Sequence, residues 1–301
     1  MKWVTFQTSE GMQKAGWLHQ DGVVDMHFIS GGELPKDLLT LIQHYEKFQA
    51  QVKALYNSCE ATYSLEEVKL LAPLPQPISY RDFYAFENHV KTARSKRGLS
   101  VVEEWYQFPV FYFSNHLAIN GHEEEIVSPR ECEELDYELE VACIIGKKGR
   151  NIPKEKAEEY IFGYCILNDW SARDLQRSEM KVGLGPAKGK DFATTIGPYI
   201  VTPDELEEYR IDEGFMLDMT AKVNGQTLSH GNLKDIYYSF AEMIERASAD
   251  VMLYPGELIG SGTVGTGCIL ELGTDVHPWL QPQDEIELEV TGLGVLRNTI
   301  R

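Results

Sequence analysis

Positive charge is scarce in this sequence. Against 47 acidic residues it sets 28 lysines and arginines, a formal net charge of -19. A surface of that sign repels nucleic acid and anionic membranes at long range, which argues against both as partners. It leaves a small anionic substrate open, because a bound cation and a few basic side chains can reverse the field locally. Cysteine is sparse too. Cys59, Cys132, Cys143, Cys165 and Cys268 form no CxxC pair, so neither a zinc site nor a redox motif is suggested. An odd number of thiols in mostly apolar runs reads as a reducing cytosol. No apolar run approaches the length of a membrane span, and the opening MKWVTFQTSE lacks the apolar stretch of a signal peptide. A soluble, cytoplasmic protein is expected. Regular β-α-β alternation is also missing, which weakens a Rossmann or barrel reading. The glycine-rich Gly185-Pro186-Ala187-Lys188-Gly189-Lys190-Asp191 run fails the phosphate-loop pattern at Asp191.

What is present is an ordinary globular composition, 43% hydrophobic with 11% aromatics, enough for a sizeable core. Residues 1–30 read as short strands, with a hairpin around Gln20-Asp21-Gly22 in the 15–29 stretch. Residues 35–56 carry apolar side chains at helix spacing behind Pro35. The proline-punctuated Leu71-Ala72-Pro73-Leu74-Pro75-Gln76-Pro77 is the best boundary, giving a small N-terminal domain at 1–72 and a larger one at 73–301. Beyond it, 81–97 reads as a helix ending at Gly98, and 108–113 as a strand. Further helices are expected at 153–160 and 233–247, and strands at 161–167, 196–202, 215–223 and from 257 onward. Strands dominate, so the fold class is α+β and strand-rich.

The most informative stretch is Glu134 to Gly146. Asp136, Glu138 and Glu140 alternate with Leu135, Tyr137, Leu139 and Val141, the mark of a strand. Then Val141 to Ile145 is apolar on both faces, as in a strand buried on both sides. Carboxylates about 7 Å apart along such a strand repel, and burial adds a desolvation cost. A hard cation such as Mg²⁺ or Ca²⁺ would relieve both; an edge strand with its acids in water is the alternative. Asp169 closes an apolar strand and is either a helix cap, a paired acid or a metal ligand. Asp82 has the same choice. In a continuous helix His89 would share its face, about 10 Å away along the axis. Glu271 stands in an apolar run taken as strand, and such an acid seeks a base, His89 being one candidate.

In order, Asp82-Phe83-Tyr84 with His89, Glu138-Leu139-Glu140, Asn168-Asp169-Trp170-Ser171-Ala172-Arg173-Asp174-Leu175-Gln176, Gly189-Lys190-Asp191-Phe192-Ala193-Thr194, Ser261-Gly262-Thr263 and Leu270-Glu271 together resemble the fumarylacetoacetate hydrolase family over residues 72 to 301. The resemblance implies a mixed β-sandwich roll, often preceded by a small β domain, a homodimer, and a divalent cation (Mg²⁺ first, then Ca²⁺ or Mn²⁺). It implies Asp82, Glu138, Glu140 and Asp169 as metal ligands. His89 would be the general base, Glu271 its partner, and Lys190 and Gln176 would stabilise developing negative charge. Tyr84, Arg97, Tyr112, Thr263 and Thr194 match substrate-side positions, with Arg94 competing for the role of Arg97. Met180 stands where fumarylacetoacetate enzymes place a substrate-binding tyrosine. Thr92 stands where the acylpyruvase and oxaloacetate decarboxylase branch carries a lid acid. The implied activity is hydrolysis of a carbon–carbon bond in a 1,3-dicarbonyl acid by activated water. The alternatives are an oxaloacetate-type decarboxylase, isomerase or hydratase on the same scaffold, or a non-catalytic small-molecule binder. Residues 94–107 carry no readable motif and are expected to cover the site.

Overall fold

The backbone ladder around the acidic strand explains most of the architecture. In the computed structural model, which describes residues 1–20, 22–212 and 214–301, the strand Leu139–Ile145 is buried along its whole length. It pairs antiparallel with Ile161–Asn168 on one side and Leu258–Gly260 on the other. Leu258–Gly260 continues in parallel to Tyr80–Phe83, which pairs antiparallel with Phe111–Phe113. On the far side, Ile161–Asn168 pairs with Thr194–Val201, and Thr194–Val201 with Lys2–Thr8. The N-terminal strands Lys2–Thr8, Gln13–His19 and Gly22–Asp25 therefore extend the same sheet. Asp21, within the expected hairpin turn, lies outside the described residues.

A strand buried on both faces needs two cores. Leu139, Val141, Cys143 and Ile145 face a second, five-stranded sheet built on Asp218–Val223, Gln226–Asn232, Glu285–Val290 and Gly294–Ile300. Asn224 and Gly225 turn its first hairpin with φ of 51° and 77°, the left-handed pair that suits a two-residue connection. The opposite face, with Ala142 and Ile144, packs with Trp3, Trp17 and the helices Leu38–Gln43 and Tyr45–Tyr56. The molecule is thus a strand-rich sandwich with helices on one outer face. No helix among the described residues is long and apolar enough to cross a membrane.

Several local expectations give way to tertiary pairing. The 81–97 segment is not one helix: Tyr80–Phe83 is a strand and the helix is Glu87–Ser95, because Arg81 and Asp82 find ladder partners on both sides. Asp82 therefore neither caps that helix nor shares a helical face with His89. Met26–Ile29, read within the strand region, is a helical turn capped by Asp25, whose carboxylate accepts the Phe28 N–H at 3.0 Å. The 233–247 helix breaks into the 3-10 turn Leu233–Asp235 and the helix Phe240–Ser248, which Ser239 and Glu242 open with a reciprocal capping box. Asp169 is not a cap either; Ala172 holds that place before Arg173–Met180. Glu271 lies on the helical turn Ile269–Leu272 rather than in a strand.

Candidate active site

Three carboxylates converge where the central strands end. Asp82 and Gly260 are register partners on neighbouring strands, and Gly260 also faces Ala142, two residues beyond Glu140. Asp169 follows the adjacent strand Ile161–Asn168. One oxygen from each of Asp82, Glu140 and Asp169 lies within 4.8 Å of the others, and all three residues are buried. Gly260 makes this possible: a Cβ there would overlap Asp82 Oδ1 and crowd Glu140 Oε2. Burial and mutual repulsion push the Asp82 and Glu140 carboxyls well above the usual carboxylate range. Burial raises Asp169 as well, against the opposing pull of Lys190. The Oδ1 atoms of Asp82 and Asp169 are buried without a hydrogen-bond partner. Glu140 is steadied by the Gly262 N–H at 3.1 Å and the Thr263 hydroxyl at 3.3 Å. Orphaned buried acceptors around a crowded anionic centre fit a hard, oxygen-seeking divalent cation.

Glu138, expected as a fourth ligand, stands beside this cup. Its Oε1 accepts from Arg173 at 2.7 Å and its Oε2 from Lys190. Although burial opposes it, these two cations hold the Glu138 carboxyl well below the usual range. Lys190 reaches Asp169 Oδ2 at 2.6 Å in the same stroke. As a ligand, Glu138 would have to share an oxygen with one of these cations.

Across the cavity, His89 Nδ1 and Glu271 Oε1 are 2.6 Å apart in a buried pair. Glu271 Oε2 accepts the Thr266 N–H at 3.0 Å. An ionised carboxylate only accepts, so Nδ1 carries the proton and Nε2 is left with its lone pair for the cavity. The turn bearing Glu271 is itself anchored: the N–H groups of Ile269 and Leu270 donate to Asp136 at 2.8 and 3.0 Å. Asp136 also accepts from Arg173 Nε at 2.9 Å. Asp136 and Arg173 thus tie the dyad to Glu138 and the cup. Sequence reasoning assigned neither a role. A signal was available: Asp136 shares the alternation of Glu138 and Glu140, and Arg173 lies in the most distinctive run of the chain.

A cavity of about 370 Å³ joins the two halves. Asp82, Glu138, Glu140, His89, Lys190, Gln176, Tyr84, Tyr112, Thr263 and Arg97 all line it, together with Met180 and Arg94. Tyr112 donates its hydroxyl to Asp169, and burial next to that acid pushes its phenol well up. Burial raises Tyr84 to about 12, and its ring meets His89 edge-on at 5.3 Å. Arg94 spends its Nε on the Ser100 carbonyl, whereas Arg97 makes no ion pair among the described residues. Thr194 does not line the cavity; it is buried and its N–H joins Ala118 O at 2.9 Å. Residues 103–106 form a 3-10 turn pinned by Trp105, whose indole N–H donates to Tyr84 O at 2.9 Å.

Comparison with known proteins identifies the family. The profile of the fumarylacetoacetate (FAA) hydrolase C-terminal domain matches residues 79–301. Oxaloacetate tautomerase YisK of Bacillus subtilis is 30% identical over 285 residues, covering 89% of this chain and 87% of its own. The structure of fumarylacetoacetate hydrolase from Exiguobacterium antarcticum superposes with a TM-score of 0.74 at 26% identity, covering 100% of this chain and 99% of that one. Maleylpyruvate hydrolase from Sphingobium sp. SYK-6, solved with manganese(II) and pyruvate, shares the fold with a TM-score of 0.75 at 23% identity, over 100% and 98% of the two chains. The chain belongs to the fumarylacetoacetate hydrolase family.

Proposed function

We propose that this protein is a divalent-cation-dependent hydrolase that cleaves a carbon–carbon bond in a small 1,3-dicarbonyl acid. The observation that carries the reading is that His89, buried against Glu271, lines one cavity with Asp82 and Glu140 of the acid cup. Asp82, Glu140 and Asp169 would hold the cation, with Glu138 beside them. When bound, it would supply a Lewis acid that polarises the attacked carbonyl and favours an enolate leaving group. His89 Nε2 takes the proton of the attacking water, and Glu271 stabilises the imidazolium that forms. The same nitrogen returns the proton to the departing carbon. Lys190 and Gln176 border the reacting oxygens and offset developing negative charge. Arg97 supplies a free guanidinium for a substrate carboxylate, which suits a small anionic keto acid despite the acidic surface. Met180 adds an apolar side chain to the cavity lining where fumarylacetoacetate enzymes place a substrate-binding tyrosine, which favours a short or apolar acyl end over a fumaryl group.

A second reading has its own support. YisK, the tautomerase relative, shares most of its length with this chain. A base opposite a bound keto acid can shuttle a proton between carbon and oxygen without admitting water. Oxaloacetate tautomerisation is therefore the alternative activity, ahead of decarboxylation, other isomerisation or hydration. We further propose that the enzyme is cytoplasmic, which fractionation of the source cells tests, and homodimeric, which sedimentation velocity tests.

The deciding experiment offers short acylpyruvates and fumarylacetoacetate to metal-stripped protein, then adds Mg²⁺, Mn²⁺ or Ca²⁺. Metal-dependent loss of the ultraviolet enol band, with two acid products, is expected. Bleaching without products, seen also with oxaloacetate, would instead favour tautomerisation. His89→Ala should retain cation binding by calorimetry while turnover falls by about 10²–10⁴-fold; unchanged turnover would remove His89 from the role of base.

A further inference from the structure

His89 and Glu271 share their corner with a third ligand-bearing side chain. Cys268 immediately precedes the Ile269–Leu272 turn, and its Sγ lies 3.7 Å from Glu271 Oε1. That is the oxygen already bonded to His89 Nδ1. All three residues are buried, with one donor atom from each within 4.8 Å of the others. We propose that His89, Cys268 and Glu271 form a second, thiolate-containing cation site, selective for a borderline-soft divalent ion such as zinc, and that filling it switches the dyad off.

Four observations support the site. First, its donors differ in kind from those of the acid cup. One sulfur, one imidazole nitrogen and one carboxylate oxygen suit zinc or cobalt, whereas Asp82, Glu140 and Asp169 offer only hard oxygen. The two sites should therefore sort cations rather than compete for one. Second, the charge closes. A dication, the Cys268 thiolate, the Glu271 carboxylate and a neutral imidazole sum to zero, which matters in a corner where an unbalanced charge would be costly. Third, the spacing is near that of a coordinated ion. Zinc bonds of about 2.0–2.3 Å set donor pairs roughly 3.3–3.6 Å apart in a tetrahedron. Sγ and Oε1 stand close to this already, and the nitrogen–oxygen pair opens by less than about 1 Å as the two side chains turn. Fourth, Thr266 holds Glu271 by its other oxygen, so Oε1 stays directed at the cysteine and histidine. A supporting hydrogen bond of this kind orients a metal ligand.

The proton balance gives the consequence. Without an ion Cys268 donates its S–H to Glu271 Oε1 at 3.7 Å, so the sulfur carries a proton. Coordination releases that single proton to solvent. The imidazole binds through Nδ1, and its own proton passes to Nε2. It stays neutral but loses the lone pair that faces the cavity. This loss of function rests on the proposed role of His89 as base; the binding itself does not.

The test uses the full chain, stripped of metal, saturated with Mg²⁺ to fill the cup, and titrated with Co²⁺. Cobalt bound to a thiolate shows an intense near-ultraviolet charge-transfer band that an oxygen cup cannot give. One equivalent of that band is expected. It should vanish in Cys268→Ser, a one-atom change, and weaken in Glu271→Gln. No thiolate band in the unsubstituted protein at saturating Co²⁺ would overturn the site, whether or not any variant folds. An undiminished band in Cys268→Ser would do the same. None of this needs a substrate, so failure here is distinct from failure of the hydrolase reading. Where turnover is measurable, Zn²⁺ should inhibit in a way that excess Mg²⁺ does not relieve, and Cys268→Ser should lose that sensitivity. Full relief by Mg²⁺ would place the zinc in the cup and overturn the switch.

Discussion

Glu140 concentrates the conflict built into this site. It is fully buried, its neighbours are acids, and its carboxyl is pushed well above the usual range by burial and by Asp82. Glu140→Gln should abolish divalent-cation binding in a calorimetric titration. It should also raise the metal-free stability at neutral pH by about 1–3 kcal/mol, since the cost of burying an ionisable carboxyl, met by taking up a proton on folding, is gone. Retained cation affinity would remove Glu140 from the ligand set. The pH dependence follows with its sign. Asp82, Glu140 and Asp169 all hold their protons more tightly folded than unfolded. Without metal, the fold therefore binds protons that the unfolded chain has lost, and stability falls as pH rises past the ordinary carboxylate value of about 4. Cation binding needs those groups ionised, so affinity rises over the same range. The melting-temperature gap between Mg²⁺-loaded and stripped protein should widen from about pH 5 to about pH 8. A gap that narrows would contradict the assignment of these acids as ligands. Asp136 poses the opposite case, a buried acid fully occupied by Arg173 and two amides. Asp136→Ala leaves these donors without their acceptor and should cost about 3–5 kcal/mol in urea denaturation. A cost within experimental error would show that the link between dyad and cup is dispensable.

At the scale of elements, the site depends on where strands cross rather than on any one strand. Asp82, Gly260 and the Ala142 register come together only because Leu258–Gly260 runs parallel to Tyr80–Phe83 and antiparallel to Leu139–Ile145. Gly260→Ala should therefore act on the cup without touching a ligand. Its methyl group meets Asp82 Oδ1, and the overpacking should cost about 1–3 kcal/mol and weaken Mg²⁺ affinity in calorimetry. Unchanged affinity would mean the carboxylates have room to retreat. This crossing also marks the limit of what the sequence made legible. The alternation from Asp136 to Glu140 was readable because its period is local, but the strand it predicts is broken: Leu135–Asp136 pairs with Ser171–Ala172 in a separate ladder, and the long strand starts only at Leu139. The apolar run of the buried strand was readable too. The pairing of Glu271 with His89 was proposed from the chemistry of a buried acid, and the geometry brings the two together. The strand at Tyr80–Phe83 was not legible. Its four residues carry no period of their own, and the helix pattern starting at Glu87 extends backwards over them until a ladder claims them from both sides. The Ile269–Leu272 turn was hidden in the same way. Its apolar run resembles a strand, and only the Asp136 carboxylate, 133 residues away in sequence from the first amide it caps, fixes it as helical.

For the molecule as a whole, the question is whether residues 1–72 fold apart from the remainder. The proline connector sets a boundary in sequence, and the family profile begins just after it, at residue 79. The sheet does not observe that boundary. Lys2 and Trp3 pair with Val201 and Ile200, so the N-terminal strands cover the edge of Thr194–Val201. Trp3, Trp17 and Met26 share one buried cluster with Ala142, Ile144, Leu167 and Ile200. Ala142, Ile144 and Leu167 are outer-face residues of the strands that carry Glu140 and precede Asp169, and Ile200 lies on the neighbouring Thr194–Val201. Removing residues 1–72 would expose that face and leave a long unpaired strand edge, two features that promote aggregation. A 73–301 fragment should express as aggregate or, if recovered, melt at lower temperature and bind Mg²⁺ more weakly than the full chain, because the backbone carrying the cup has lost half its packing. Co-expressed residues 1–72 should restore both properties if the sheet reassembles. A monodisperse 73–301 fragment with undiminished Mg²⁺ affinity would show instead that the cup is held by the second core alone, through the five-stranded sheet beneath Leu139, Val141 and Cys143.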